Sequence, residues 1–262
     1  MNKILFLFDI DGTLTESGNI INQNMKNIIK NLINENNIDI GIVGGGKLDK
    51  VLVQMTNDLY FKYYFTECGC VYNKNLEYPY NIKLSEIYCK DIRKHYLYPL
   101  INILVKDTLK YLSEVKYKIT GNFIDLRNGI IYISLIGMCA NEEERKYFLE
   151  LDKKYNFRKD LLELLINKSR ELKIIDNIDI VEGGSVGIAI YPKEHDKIQV
   201  LEYLIEYNEI HYFGDKYYKN GNDYNIINDK RVIGHCVNNP IDTINIIKKY
   251  LTESNPSKLF KF

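Results

Sequence analysis

The chain has 262 residues, 45% of them hydrophobic and 27% charged, with 35 basic and 35 acidic side chains. That length and composition support one large or two ordinary globular domains and exclude disordered and collagen-like classes. Zero formal net charge argues against a general nucleic-acid or anionic-membrane footprint, while leaving room for a local basic patch that holds a phosphate.

In chain order, Lys3 to Phe8 is a largely apolar run ending in turn-prone residues, the pattern of a buried parallel strand. Ile21 to Asn34 has helical spacing, with Met25, Ile28, Ile29, Leu32 and Ile33 on one face. Ile38 to Val43 reads as a second strand stopped by Gly44-Gly45-Gly46; Lys50 to Leu59 suits a helix, and Tyr63 to Phe65 a third strand. Leu84 to Val105 is helical in pattern, with a break at Pro99. Asn122–Leu126 and Ile130–Ser134 are strand-like and joined by Arg127-Asn128-Gly129, a strong hairpin signal. A long helical stretch from Asn141 to about Leu172 leads to two more strands, Ile178–Val181 and Val186–Ile190. Lys197 to Tyr207 then predicts a helix, Ile210 to Phe213 a strand, Val232 to Gly234 another, and Ile241 to Leu251 a last helix. The Ser-Asn-Pro-Ser tail is expected to be loose. The expected fold is therefore α/β: a parallel-sheet core split by an inserted α+β module with an antiparallel sheet. Its divisions fall at 1-83 (core), 84-191 (insert) and 192-262 (core).

No run approaches the ~20 apolar residues needed to span a bilayer, and Asp9 and Asp11 interrupt the N-terminal apolar run early. Five scattered cysteines, with Cys68 and Cys70 spaced C-x-C and no second pair, argue against zinc and for reduced, mostly buried thiols. The expectation is a soluble, cytoplasmic protein with no membrane or nucleic-acid partner.

Asp9 and Asp11 lie just past the first strand, where open α/β sheets place their ligands, and in extended backbone residues i and i+2 face one side. Two close carboxylates need a cation or a shared proton. Taken alone, Asp-x-Asp-Gly is also a plain turn signal. Phe213-Gly214-Asp215 repeats the arrangement of strand, turn and carboxylate, followed by Asn220-Gly221-Asn222-Asp223. Asp215 could complete an oxygen-ligated Mg²⁺ site with Asp9 and a backbone carbonyl at Asp11. Lys197 opens the returning segment, where its charge could steady a nucleophilic carboxylate and a phosphate; in isolation it reads as a surface lysine. His195 reads as structural.

Together these residues resemble the haloacid-dehalogenase superfamily. Collinear segments from about Lys3 to Leu251 narrow the resemblance to the eukaryotic type of phosphomannomutase. They are Leu7 to Thr15, Ile42-Val43-Gly44-Gly45, Phe123 to Gly129, Glu143-Glu144-Arg145, Leu151 to Lys154, and Phe213 to Lys216. The resemblance implies a haloacid-dehalogenase core with a cap, and interconversion of mannose 6-phosphate and mannose 1-phosphate in GDP-mannose biosynthesis. It implies that Asp9 becomes an aspartyl-phosphate, Asp11 serves as acid and base, and Lys197 assists. Mg²⁺ and a hexose 1,6-bisphosphate activator are implied as well. Arg127 and Arg145 match cap arginines that hold the distal phosphate, although Arg145 alone passes for a helix-surface charge. The candidate metal set is Asp9, Asp11, Asp215, Asp223 and Asp229, and a homodimer through the cap is implied.

The departures cluster at the substrate. Gly46 replaces a Ser or Thr, Gly18 falls where an Arg is expected, Met138 replaces another Arg, and Gly187 and Ala189 replace a Ser and an Asp. Each lost charged hydrogen bond costs ~1.5–3 kcal/mol, so chemistry is expected to persist better than specificity. A sugar phosphatase, a mutase of another phosphosugar, and a non-catalytic homologue are the alternative readings.

Overall fold

A computed structural model describes residues 3–35, 37–56, 59–75 and 84–254. The expected boundary at 83 and the tail beyond Ser254 lie outside the described residues. In chain order the elements are β1 (Ile4–Phe8), α1 (Gln23–Ile33), β2 (Ile38–Val43), α2 (Leu48–Met55), β3 (Tyr63–Thr66), β4 (Val71–Asn75) and β5 (Leu84–Cys89). Then come α3 (Tyr98–Glu114), β6 (Ile124–Leu126), β7 (Ile131–Ser134), α4 (Glu142–Tyr155), α5 (Phe157–Glu171), β8 (Ile178–Gly183) and β9 (Gly187–Pro192). A 3₁₀ run, Lys197–Tyr203, leads back to β10 (Glu209–Gly214), α6 (Tyr224–Ile227), β11 (Ile233–Cys236) and α7 (Pro240–Ser254).

Seven strands form one sheet in the order β11-β10-β1-β2-β3-β4-β5. The first five are parallel, and β4 and β5 extend the edge antiparallel. Its strands are apolar on both faces because helices cover both. Phe6, Phe8, Ile40 and Ile42 pack with α1 and α7, and Leu5, Leu7, Tyr63 and Tyr212 pack with the segment around Val200 and Leu201. The crossovers bring β1 and β10 side by side, Phe8 beside Phe213, so the loops carrying Asp9 and Asp215 leave the sheet together.

The second sheet is four-stranded and antiparallel, in the order β6-β7-β9-β8. Here the two-residue alternation is plain. Ile131, Ile133, Ile188, Ile190, Ile178 and Ile180 face a core shared with α3, α4 and α5. The opposite face carries Asp125, Tyr132, Ala189 and Val181 in one cross-strand row.

Four sequence expectations give way. Residues 84–89 form an edge strand rather than the start of a helix, so the chain leaves the first sheet after Cys89. Pro99 is not a break but part of the first turn of α3, where a missing N–H and a fixed φ cost nothing. The stretch from 141 to 172 is two helices: Asn156 sits in the left-handed region at φ 59 and ends α4. A capping box between Asn141 and Glu144 starts that helix. The predicted helix after Lys197 winds as 3₁₀ instead.

Candidate active site

Asp9 is 5% exposed, at the end of β1, with its backbone N–H donated to the Phe213 carbonyl at 2.9 Å. Lys197, from the 3₁₀ run, is fully buried and donates from Nζ to Asp9 Oδ1 at 2.5 Å and to Asp223 Oδ1 at 2.7 Å. Burial alone would strip that ammonium of its proton, but the two carboxylates outweigh it and hold Lys197 charged. Asp223 is held from two further sides: the Tyr212 hydroxyl donates to the same Oδ1, and the Lys216 N–H donates to Oδ2 at 2.9 Å. It therefore works as the counter-charge that fixes Lys197 against Asp9.

Two glycines make this packing possible. A side chain at Gly12, where φ is +92, would begin 2.5 Å from Asp215 Oδ2, and one at Gly214 would begin 2.6 Å from the Asp223 carboxyl carbon.

Asp9, Asp215 and Asp223 bring carboxylate oxygens within 4.8 Å of one another. Burial raises the Asp9 carboxyl well above the ordinary range, opposed by Lys197. Burial, followed by the Asp223 charge, pushes Asp215 up to about 6. Such a group calls for positive charge. Asp215 Oδ1 and Asn222 Oδ1 are buried without a hydrogen-bond partner, and both residues line the same cavity as Asp9. An all-oxygen donor set with orphaned oxygens fits a hard divalent cation such as Mg²⁺.

Of the five expected metal residues, the structure does not gather all. The Asp11 carboxylate is taken up elsewhere: Oδ1 accepts from the Gly18 N–H at 2.7 Å and from Gln54 Nε2 at 2.9 Å, and Oδ2 lies 3.4 Å from Lys50 Nζ. Burial would raise Asp11, but Lys50 and these donors outweigh it and hold the carboxyl below its ordinary value. Asp229 stands apart and leaves the candidate set, because its carboxylate is forked onto Arg231 two residues on, at 2.8 and 3.0 Å. Asp223 stands in the cluster with Asp9 and Asp215, its oxygens also accepting from Lys197, Tyr212 and the Lys216 N–H.

Asp9, Asp11, Asp215, Arg127 and Arg145 all line one cavity of about 380 Å³ between the two sheets, a volume suited to a small ligand. Arg127 is pinned by Asp125, Nε to Oδ2 at 2.8 Å, and donates across to the Gly45 carbonyl. Lys47 reaches Asp125 Oδ1 at 2.8 Å from the other side. Among the described residues Arg145 is anchored on backbone alone, through the Ala140 and Met138 carbonyls at 3.0 and 3.1 Å, which leaves its charge for the cavity. His195 is structural as expected: buried, with Nδ1 2.6 Å from the Gly129 carbonyl, and held neutral chiefly by burial.

Sequence reasoning missed Lys50, Gln54, Asp125, Tyr132 and Tyr212. Lys50 and Gln54 are one helical turn apart on α2, and Asp125 and Arg127 alternate on one strand face, so the spacing was there to be read.

The arrangement is that of a haloacid-dehalogenase-type fold. Plasmodium falciparum IMP-nucleotidase in its ATP-bound form superposes with a TM-score of 0.70 at 16% identity, over 98% of this chain and 62% of that one. The C-terminal domain of Candida albicans trehalose-6-phosphate phosphatase gives 0.58 at 15%, over 99% and 80%. At these identities the likeness is of fold. The family described as eukaryotic phosphomannomutase matches residues 25–253. Phosphomannomutase from Oryza sativa subsp. indica is 36% identical over 92% of both chains. A probable phosphomannomutase from Caenorhabditis elegans is 33% identical over 96% of this chain and 97% of its own. The chain belongs to the eukaryotic phosphomannomutase family, and is thereby an enzyme of the isomerase class.

Proposed function

We propose that the chain interconverts mannose 6-phosphate and mannose 1-phosphate, with Asp9 as the phosphoryl carrier. The observation that carries this is the Asp9 carboxylate, oriented by Lys197 at 2.5 Å and opening on the same cavity as Arg127 and Arg145. The cycle starts with phosphate on Asp9, delivered by a hexose 1,6-bisphosphate. A sugar hydroxyl attacks phosphorus, Asp11 takes its proton, and the Asp9–phosphorus bond breaks. The bisphosphate so formed turns end over end. Asp9 then attacks the other phosphate, the sugar–oxygen bond to phosphorus breaks, and Asp11 returns its proton to the leaving oxygen.

Asp11 enters this cycle in the right form. Lys50, Gln54 and the Gly18 N–H keep it ionised and ready to accept a proton. Asp9 and Asp215, with the backbone carbonyl of Asp11, would hold Mg²⁺, which neutralises the phosphoryl oxygens. Arg127 and Arg145 take the phosphate that is not reacting, Arg127 being presented by Asp125 with its guanidinium plane fixed.

The proposal includes a division of labour. The seven-stranded body (1-83 and 192-262, with β5 counted in it) carries the chemistry, and the four-stranded body within 84-191 acts as the cap. Pairing of two chains through the cap, a cytoplasmic setting and a role in GDP-mannose supply belong to the same reading. Among the described residues no helix is long and apolar enough to cross a membrane.

The test is incubation with Mg²⁺, mannose 1-phosphate and a hexose 1,6-bisphosphate, following mannose 6-phosphate and free phosphate. Isomerisation that needs the bisphosphate is expected. Free phosphate without isomer would make the chain a sugar phosphatase. No product from any phosphosugar, with Asp9→Asn indistinguishable from the parent, would leave a binding module.

A further inference from the structure

The wall of the cavity formed by β7 and β9 has an unusual construction. Gly187 carries no side chain and Ala189 only a methyl group, so neither offers a polar group to a ligand. Tyr132, the cross-strand partner of Ala189, fills the space instead. Its ring lies in a cradle of glycines. A Cβ placed on Gly187 would fall 2.5 Å from both Cζ and the hydroxyl of Tyr132, one on Gly184 would fall 3.2 Å from the hydroxyl, and one on Gly183 would fall 3.2 Å from the ring edge. The first distance is a clash, and the same Cβ would also run into the Ile133 carbonyl oxygen, so the backbone and this tyrosine together exclude a side chain at 187.

The other polar group in that cross-strand row is already engaged, since Asp125 holds Lys47 and Arg127. The Tyr132 hydroxyl has no hydrogen-bond partner among the described residues, and Tyr132 lines the cavity together with Arg127 and Ser134. The Arg127 guanidinium lies over the Tyr132 ring, 4.5 Å from its centroid. That contact fixes the ring from above while the glycines leave room below.

We infer that Tyr132 is a specificity-determining residue whose hydroxyl hydrogen-bonds a ring hydroxyl of the phosphosugar, replacing side-chain contacts that Gly187 and Ala189 do not provide. This rests on the phosphosugar reading of the same cavity. A phenol suits the position because it is donor and acceptor at once, and its rotatable hydrogen meets either kind of partner. Recognition through the sugar ring, rather than through phosphate, separates Tyr132 from the arginines beside it.

The test uses the full chain carrying Asp9→Asn, so that bound substrate stays intact, titrated calorimetrically with mannose 1-phosphate and with inorganic phosphate in the presence of Mg²⁺. Tyr132→Phe keeps the ring, its stacking under Arg127 and its fit against the glycines, and removes only the hydroxyl. Losing one neutral hydrogen bond corresponds to a weakening of about three- to tenfold. That loss is expected for mannose 1-phosphate, with a clearly smaller change for inorganic phosphate. Equal weakening of both ligands would place the effect in Arg127 and overturn the assignment. Full retention of mannose 1-phosphate affinity would overturn it too, while leaving the phosphosugar reading intact. If the Asp9→Asn chain with Tyr132 present binds mannose 1-phosphate no better than inorganic phosphate, the phosphosugar reading fails and the assignment falls with it.

Discussion

Lys197→Met removes the ammonium that sits between two buried carboxylates while keeping most of the side-chain volume. At 2.5 Å from Asp9 and 2.7 Å from Asp223, with exposures of 0–8% for all three side chains, the ion pairs are dry. Each attraction is about 6 kcal/mol at an effective dielectric constant of about 20, most of it offset by desolvation, and breaking a buried pair from one side costs about 3–5 kcal/mol net. For a chain of this size that is a fall in melting temperature of roughly 6–20 °C. The loss has a definite pH dependence. Without Lys197, the Asp9 carboxyl, already raised in the folded state by burial, loses the charge that opposes that rise and goes up further, while in the unfolded chain it titrates near 4. A carboxyl raised in the folded state gives stability that is present at low pH and lost as pH rises. The gap between variant and parent therefore widens from about pH 5 to pH 8. Melting followed by circular dichroism in metal-free buffer across that range measures it, and added Mg²⁺ should narrow the gap at pH 8. A variant that melts within about 2 °C of the parent at pH 8 would refute the reasoning.

Further substitutions probe the departures and the cap. Gly46→Ser should fold normally, because a Cβ there meets only Lys50 and Val51 at an unstrained 3.6 Å; if its hydroxyl reaches the transferring phosphoryl group, kcat/KM rises by about threefold or more, as measured by steady-state kinetics. Arg145→Ala and Arg127→Ala should each lower kcat/KM for mannose 1-phosphate by one to two orders of magnitude, from about 1.5–3 kcal/mol per charged contact. Arg127→Ala should also lower thermal stability, since it removes one of the two cations on Asp125 and leaves only the more exposed Lys47, whereas among the described residues Arg145 is held by backbone carbonyls. His235, stacked on Phe213 and against His211, has its pKa driven down to about 4, chiefly by burial and then by His211. Its unfolded-state value is near 6.5, so folding stability should fall as pH drops from 6.5 toward 4, and His235→Phe should flatten that limb of a denaturant-midpoint profile.

The parallel strands were legible because burial on both faces leaves unbroken apolar runs, as in Leu5 to Phe8, and the cap hairpin was legible from Asn128-Gly129. Asp9 and Asp215 were legible for a related reason: the runs end in carboxylates, and adjacent parallel strands deliver their ends to one place. Residues 84–89 were not, because an edge strand with mixed exposure has no periodicity strong enough to compete with helix-forming neighbours. Lys197 in isolation looked like a surface charge because its two partners lie 188 and 26 residues away, and only the family resemblance marked it as a site residue. Asp229 looked like a ligand because a carboxylate in a polar loop says nothing about the arginine two residues on that occupies it. Tyr132 passed as one more strand residue, and only the glycines that close around it from β8, β9 and their turn give it a role.

The central claim is that Asp9 carries the phosphoryl group. Mixing the protein with a hexose 1,6-bisphosphate and Mg²⁺, quenching in acid and mapping peptides by mass spectrometry tests it most directly. One phosphoryl group, labile to hydroxylamine, is expected on the peptide containing Asp9 and absent from Asp9→Asn. Turnover that persists in Asp9→Asn, or a phosphoryl group found on any other residue, would contradict the account.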